Sequence, residues 1–94
     1  MLMSPELQVI FDRRMRPKRM HALLAAEWFN VEDAVEDCIG NLDAGRIGCD
    51  EIKAFMHDRF SHLNGFQKAL VTTNATTRAR TCFSDLQLQR EERA

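Results

Sequence analysis

The chain predicts an all-α fold, a small helical bundle of three to five helices around a long central helix. Three observations carry this. Met20, Leu24, Trp28, Val31, Val35 and Cys38 step by fours and threes in one unbroken apolar stripe, the spacing that lines a single helix face. No alternation of apolar and polar residues lasts more than four positions, so strands are not expected. Ser4-Pro5-Glu6 sets an N-cap, a proline suited to the first helical position and an acid against the positive helix end.

The first helix is expected over about residues 5 to 15, with Met3, Leu7, Ile10, Phe11 and Met15 at helical spacing. Arg16 precedes Pro17 and is pushed out of the helical region, so the helix stops or kinks there. The long central helix then runs from about 17 to 39 and ends at Gly40. Asn30 offers a cap for a new helix at Val31, but the stripe keeps its phase through it, which favours one helix with a bend. Residues 41 to 48 are turn-rich. A third helix is expected from about Asp50 to Leu63, burying Ile52, Phe55, Met56, Phe60 and Leu63, and stopped by Asn64-Gly65. A fourth begins at Phe66 and frays or ends in Thr72-Thr73-Asn74-Ala75-Thr76-Thr77, which is poor helix material. Ser84 to Gln87 suggests a capping box for a short last helix. The organisation expected is one helical domain over 1–94, with residues 1–4 and 90–94 as flexible ends.

Composition narrows the function classes. Apolar content of 45% and charged content of 29% fit an ordinary globular chain. The longest apolar run, Ala22 to Ala26, is five residues, against the ~20 that cross a bilayer. The amino end lacks a basic segment followed by an apolar stretch, so it does not read as a secretory signal, and a cytoplasmic location is expected. Three widely spaced cysteines, Cys38, Cys49 and Cys82, fit reduced thiols better than a disulfide framework. Arginine outnumbers lysine ten to three, a lean toward a bacterial or phage source.

Charge is lopsided. Arg13, Arg14, Arg16, Lys18 and Arg19 put five positive charges into seven residues of a chain with net charge −1. Residues 21 to 60 hold nine Asp or Glu against three Lys or Arg. Such asymmetry speaks to partners rather than to fold. Arg78 and Arg80, with nearby threonine hydroxyls, are placed to add to a phosphate-holding patch. Against nucleic acid stand a sequence pI of about 6.3 and the lack of a recognition-helix signature.

Phe29 is the sharpest single residue. It sits about 100° around the helix from Trp28, toward Ala22, Ala26, Glu32, Asp33 and Glu36. A large ring among alanines on an acidic face suits a protein-binding surface. Leu7, Ile10, Phe11, Trp28 and Phe29, with Glu32 and Glu36, are therefore the candidate protein-binding residues. Arg14 and Arg59 fall within apolar stripes, where they snorkel or mark a partner contact.

No catalytic residue, cofactor or metal site is expected. His57 and His62 are five apart, on different sides of a helix, where paired ligands want four. Residues 40 to 51 resemble an EF-hand calcium loop, with Gly45 at the loop's glycine. Gly40, Leu42 and Ala44 then fall on the first three ligand positions without a side-chain oxygen, and calcium needs six or more. The function expected is a non-enzymatic regulatory protein, an inhibitor or antiactivator type of module that binds a partner protein such as a transcription regulator. A homodimer is expected, because long stripes in so small a domain leave apolar surface uncovered. The alternative is a dimeric nucleic-acid-binding regulator using the basic cluster 13–19.

Overall fold

Helix α5, Gly65–Arg93, is the spine of the protein and the element against which every other helix packs. The computed structural model describes residues 5–14 and 19–93, with residues 12–14 described as backbone alone. In chain order come α1 (Pro5–Arg14), α2 (Ala22–Ala26), α3 (Trp28–Asp43), a 3-10 turn (Cys49–Glu51), α4 (Ile52–Arg59) and α5. There is no strand among the described residues. The all-α class is as the stripes predict. At 1.5 Å per residue, α5 is about 43 Å long, which matches the 44 Å long axis of the molecule.

The core lies between α3 and α5. On α3, Val31, Ala34, Val35, Cys38, Ile39 and Leu42 are buried, a stripe at steps of three and four. On α5 the facing stripe is Val71, Ala75, Ala79, Cys82 and Leu86, at most 1% exposed. Ala75, Ala79 and Cys82 are small, so the two backbones approach closely. Ile52, Met56 and Phe60 of the α4 segment close one side, and Leu7, Ile10 and Phe11 of α1 another.

Three sequence expectations need correction. The helix expected over 17–39 is two: His21 accepts from the Leu23 N–H at 3.1 Å to start α2, and the chain breaks at Glu27 (φ −109°, ψ 11°). Asn30 caps nothing. It donates from Nδ2 to Glu27 Oε2 at 2.7 Å and braces the corner instead. Gly40 does not stop α3, because the left-handed residue is Gly45 (φ +74°). There Gly45 N–H donates to Leu42 C=O at 3.1 Å and Arg46 N–H to Asn41 C=O at 2.9 Å, the paired closure of a Schellman end. The third helix ends at Arg59 rather than near Leu63.

The largest difference is in α5. The threonine run does not end the helix; residues 65–93 form one helix of 29 residues, the longest described, with no short helix starting at Ser84. Threonine costs only some tenths of a kcal/mol per residue relative to alanine in a helix. Burial of Val71, Ala75 and Ala79 on the same turns outweighs that. The carboxyl-terminal residues 90–93 continue this helix. Arg90 pairs with Asp43 of α3 and Glu6 of α1, and Arg93 pairs with Glu6 at 3.0 Å. Hydrogen bonds to Asp43, then Glu6, hold the Arg90 guanidinium more firmly charged than an ordinary arginine.

Two measurements probe this core. Phe60 is 1% exposed, and Phe60→Ala is expected to cost about 3–5 kcal/mol in urea unfolding. Burial, reinforced by the charge of Asp37, pushes the Cys38 thiol up to about 11 from 9.0. Its folded-state pKa is raised, so the folded form holds its proton where the unfolded chain releases it. Stability is then full below about pH 9 and falls as pH rises from there to about 11, by on the order of 2–3 kcal/mol. Cys38→Ala is expected to remove that part of the alkaline loss, read from unfolding curves at pH 8 and pH 11.

Candidate functional site

The predicted anchor residues separate into two groups. Leu7, Ile10 and Phe11 are 7%, 2% and 5% exposed and pack in the core beneath α5. They are not surface anchors in this fold. The face they form is the one α1 needs to dock on α5. Trp28 is partly buried against the core, and the Arg78 guanidinium lies over its ring at 5.0 Å from the centroid, a cation–π contact. Arg78 also donates from Nε to Asn74 Oδ1 at 2.8 Å, and burial lowers its hold on its proton.

Phe29 is 81% exposed. It occupies the first turn of α3, directly after the corner at Glu27. Glu27 is itself fixed, with Oε2 on Asn30 and Oε1 3.3 Å from His62 Nε2. Glu32, Asp33 and Glu36 follow Phe29 at steps of three and four, so the ring heads an acidic row. Glu32 and Glu36 are half-buried. Arg59 of α4 reaches across to Asp33 and Asp37, both at 2.6 Å, and with Glu36 these line a shallow hollow of about 210 Å³. Its position inside an apolar stripe is thus explained by a bridge between α4 and α3. At the same end of the bundle Phe66 is 64% exposed and Leu23 37%, with the His21 ring 5.6 Å from that of Phe66.

Of the basic cluster, Arg16 and Lys18 lie outside the described residues. Arg13 and Arg14 are at the end of α1, their side chains also outside, and Arg19 is exposed. Among the described residues no group of three or more His, Cys, Asp or Glu could hold a metal ion. Cys38 and Cys82 are buried and Cys49 is exposed. No described helix is long and apolar enough to cross a membrane.

Sequence reasoning did not assemble the second feature, a groove of about 370 Å³ between α4 and α5. Lys53 and His57 form one wall, four residues apart on one face of α4. Thr72, Thr73, Thr76, Thr77 and Arg80 form the floor and other wall from α5. No acidic residue lines it among the described residues. The four-residue step of Lys53 and His57, and the 72–73–76–77–80 rows, were the signal. It was hidden by reading the threonines as the end of a helix. Thr72 and Thr76 are 3% and 6% exposed, and neither hydroxyl has a hydrogen-bond partner among the described residues. A buried unsatisfied hydroxyl costs about 1–3 kcal/mol. Thr76→Val, which keeps the shape and removes the hydroxyl, is therefore expected to raise Tm, by about 4–8 °C per kcal/mol recovered in a domain of this size.

No protein-family model, curated protein or solved structure matches this chain.

Proposed function

We propose that this chain is a small non-enzymatic regulatory protein that binds a partner protein and inhibits or modulates it, with the face headed by Phe29 as the contact. The observation that carries this reading is the 81% exposure of Phe29 on a rigid helical turn, braced by the Glu27–Asn30 hydrogen bond. A large ring held out from a stiff element loses little conformational freedom on docking and buries much area. Glu32 and Glu36, half-buried along the same face, supply a negative rim that steers a partner with a basic edge and an apolar pocket. Leu23 and Phe66 extend the apolar surface at that end of the bundle. The homodimer belongs to the same proposal, as does action on a transcription regulator in a bacterial or phage cytoplasm.

The test is an affinity capture from the native host with and without nuclease, using wild type, Phe29→Ala and an all-alanine variant at 13, 14, 16, 18 and 19. The expected result is a protein partner that survives nuclease, with affinity reduced by about 1–3 kcal/mol in Phe29→Ala when measured with the purified pair. Binding that vanishes with nuclease and with the all-alanine variant, while Phe29→Ala is neutral, would favour the nucleic-acid alternative and sink this reading.

A further inference from the structure

We infer that the groove between α4 and α5 is a binding site for a small molecule bearing a phosphate group, distinct from the Phe29 face. Its chemistry is one-signed. Lys53 and His57 stand on the α4 wall, Arg80 on the α5 wall, and no described carboxylate lines the space between them. Other cations of the fold are matched internally: Arg59 holds Asp33 and Asp37, and Arg90 and Arg93 hold Glu6 and Asp43. Lys53, His57 and Arg80 take part in no ion pair with a described residue. Three nitrogen-bearing side chains around one cavity favour an anion with several oxygens, and a guanidinium suits phosphate by its paired N–H groups.

The floor supplies the second, independent observation. Thr72 and Thr76 are more than nine-tenths buried with hydroxyls that no described protein group satisfies. Both residues line the groove. Threonine in a helix has two populated side-chain rotamers. A turn about χ1 breaks no hydrogen bond of either hydroxyl to a described residue, so each can donate to a phosphate oxygen held in the groove it lines. Thr73 and Thr77 at the exposed edge offer two more hydroxyls. A volume of about 370 Å³ lies at the lower end of the range for small-molecule sites. Lys53, His57 and Arg80 all line this one groove of limited volume, which favours a compact ligand over a nucleic-acid backbone.

The experiment is an NMR titration of the ¹⁵N-labelled 94-residue chain at constant ionic strength, with inorganic phosphate, with adenosine monophosphate and with an oligonucleotide lacking terminal phosphates. Saturable shifts confined to Lys53, His57, residues 72–77 and Arg80 are expected with the first two probes. Tighter binding of the monoester identifies an organic phosphate as the source, and equal binding identifies free phosphate. Lys53→Ala and Arg80→Ala should each weaken binding about tenfold or more. Thr76→Val should weaken it while raising Tm, a combination that loss of folding does not produce. The inference is overturned if shifts are linear and scattered, if the oligonucleotide alone binds, or if Lys53→Ala and Arg80→Ala variants that retain the wild-type helical signal bind phosphate unchanged.

Discussion

Everything in this fold depends on the close packing of α3 on α5. Ala75, Ala79 and Cys82 are fully buried on one side of the interface, and Val31, Ala34, Val35 and Cys38 on the other. Small side chains bring the helices together, and the gain is many short dispersion contacts rather than a few large buried rings. That close approach fixes the long helix in place. It also lets a segment rich in threonine remain helical, since its backbone hydrogen bonds are held by packing and not by propensity. Once α5 is a rigid rod, α1, α2 and α4 need only bury one stripe each against it.

The same constraint positions both candidate surfaces. Because α4 is short and lies along α5, the outward edges of the two helices leave a furrow instead of closing. Lys53 and His57 sit on one side of it and Arg80 on the other. Because α2 breaks from α3 at Glu27, Phe29 falls on the first turn of a new helix, where it points away from the core. An unbroken helix from 17 to 39 would carry the ring in the middle of a long cylinder. The break sets it at a corner instead, near His62 and the start of α5.

How much of this was legible in the sequence varies with the physics involved. Stripes on α3 and α4 were readable because each helix buries one face, so periodicity alone locates Val31, Val35, Cys38, Ile52 and Met56. The orientation of Phe29 away from Trp28 followed from helix geometry. Whether the α1 stripe meets a partner or the protein's own core is not encoded in spacing, and Leu7, Ile10 and Phe11 proved to be core. The Glu27 corner has no glycine or proline to announce it; it is held by Asn30 and His62, the latter 35 residues away. Gly45 rather than Gly40 ends α3 because that end is decided by two backbone hydrogen bonds, not by the first glycine met. The groove was the least legible feature. It joins residues 53 and 80, and its floor lies in a stretch whose local preference argues against helix.

The charge asymmetry of the sequence takes a more definite form once pairing is known. Asp33, Asp37, Asp43, Glu6 and Glu27 all have basic partners within the fold, so much of the acidic middle is structural. These pairs are mostly exposed and individually weak, yet they fix which charges are already answered. Charges left unanswered within the protein have the most to gain from a partner, because a new ion pair there breaks none. On the acidic side these include Glu32 and Glu36 beside Phe29. On the basic side they include Lys53 and Arg80, which line one groove with His57 and a threonine floor. Opposite signs at two separate places argue for two different ligands, a protein with a basic rim at one and a compact phosphate-bearing molecule at the other. Both surfaces stand on helices packed against α5, and Arg59 bridges α4 to α3. That bridge ends on Asp33 and Asp37, on the same helix as Phe29, so α4 both carries one wall of the groove and is tied to the helix that presents the ring.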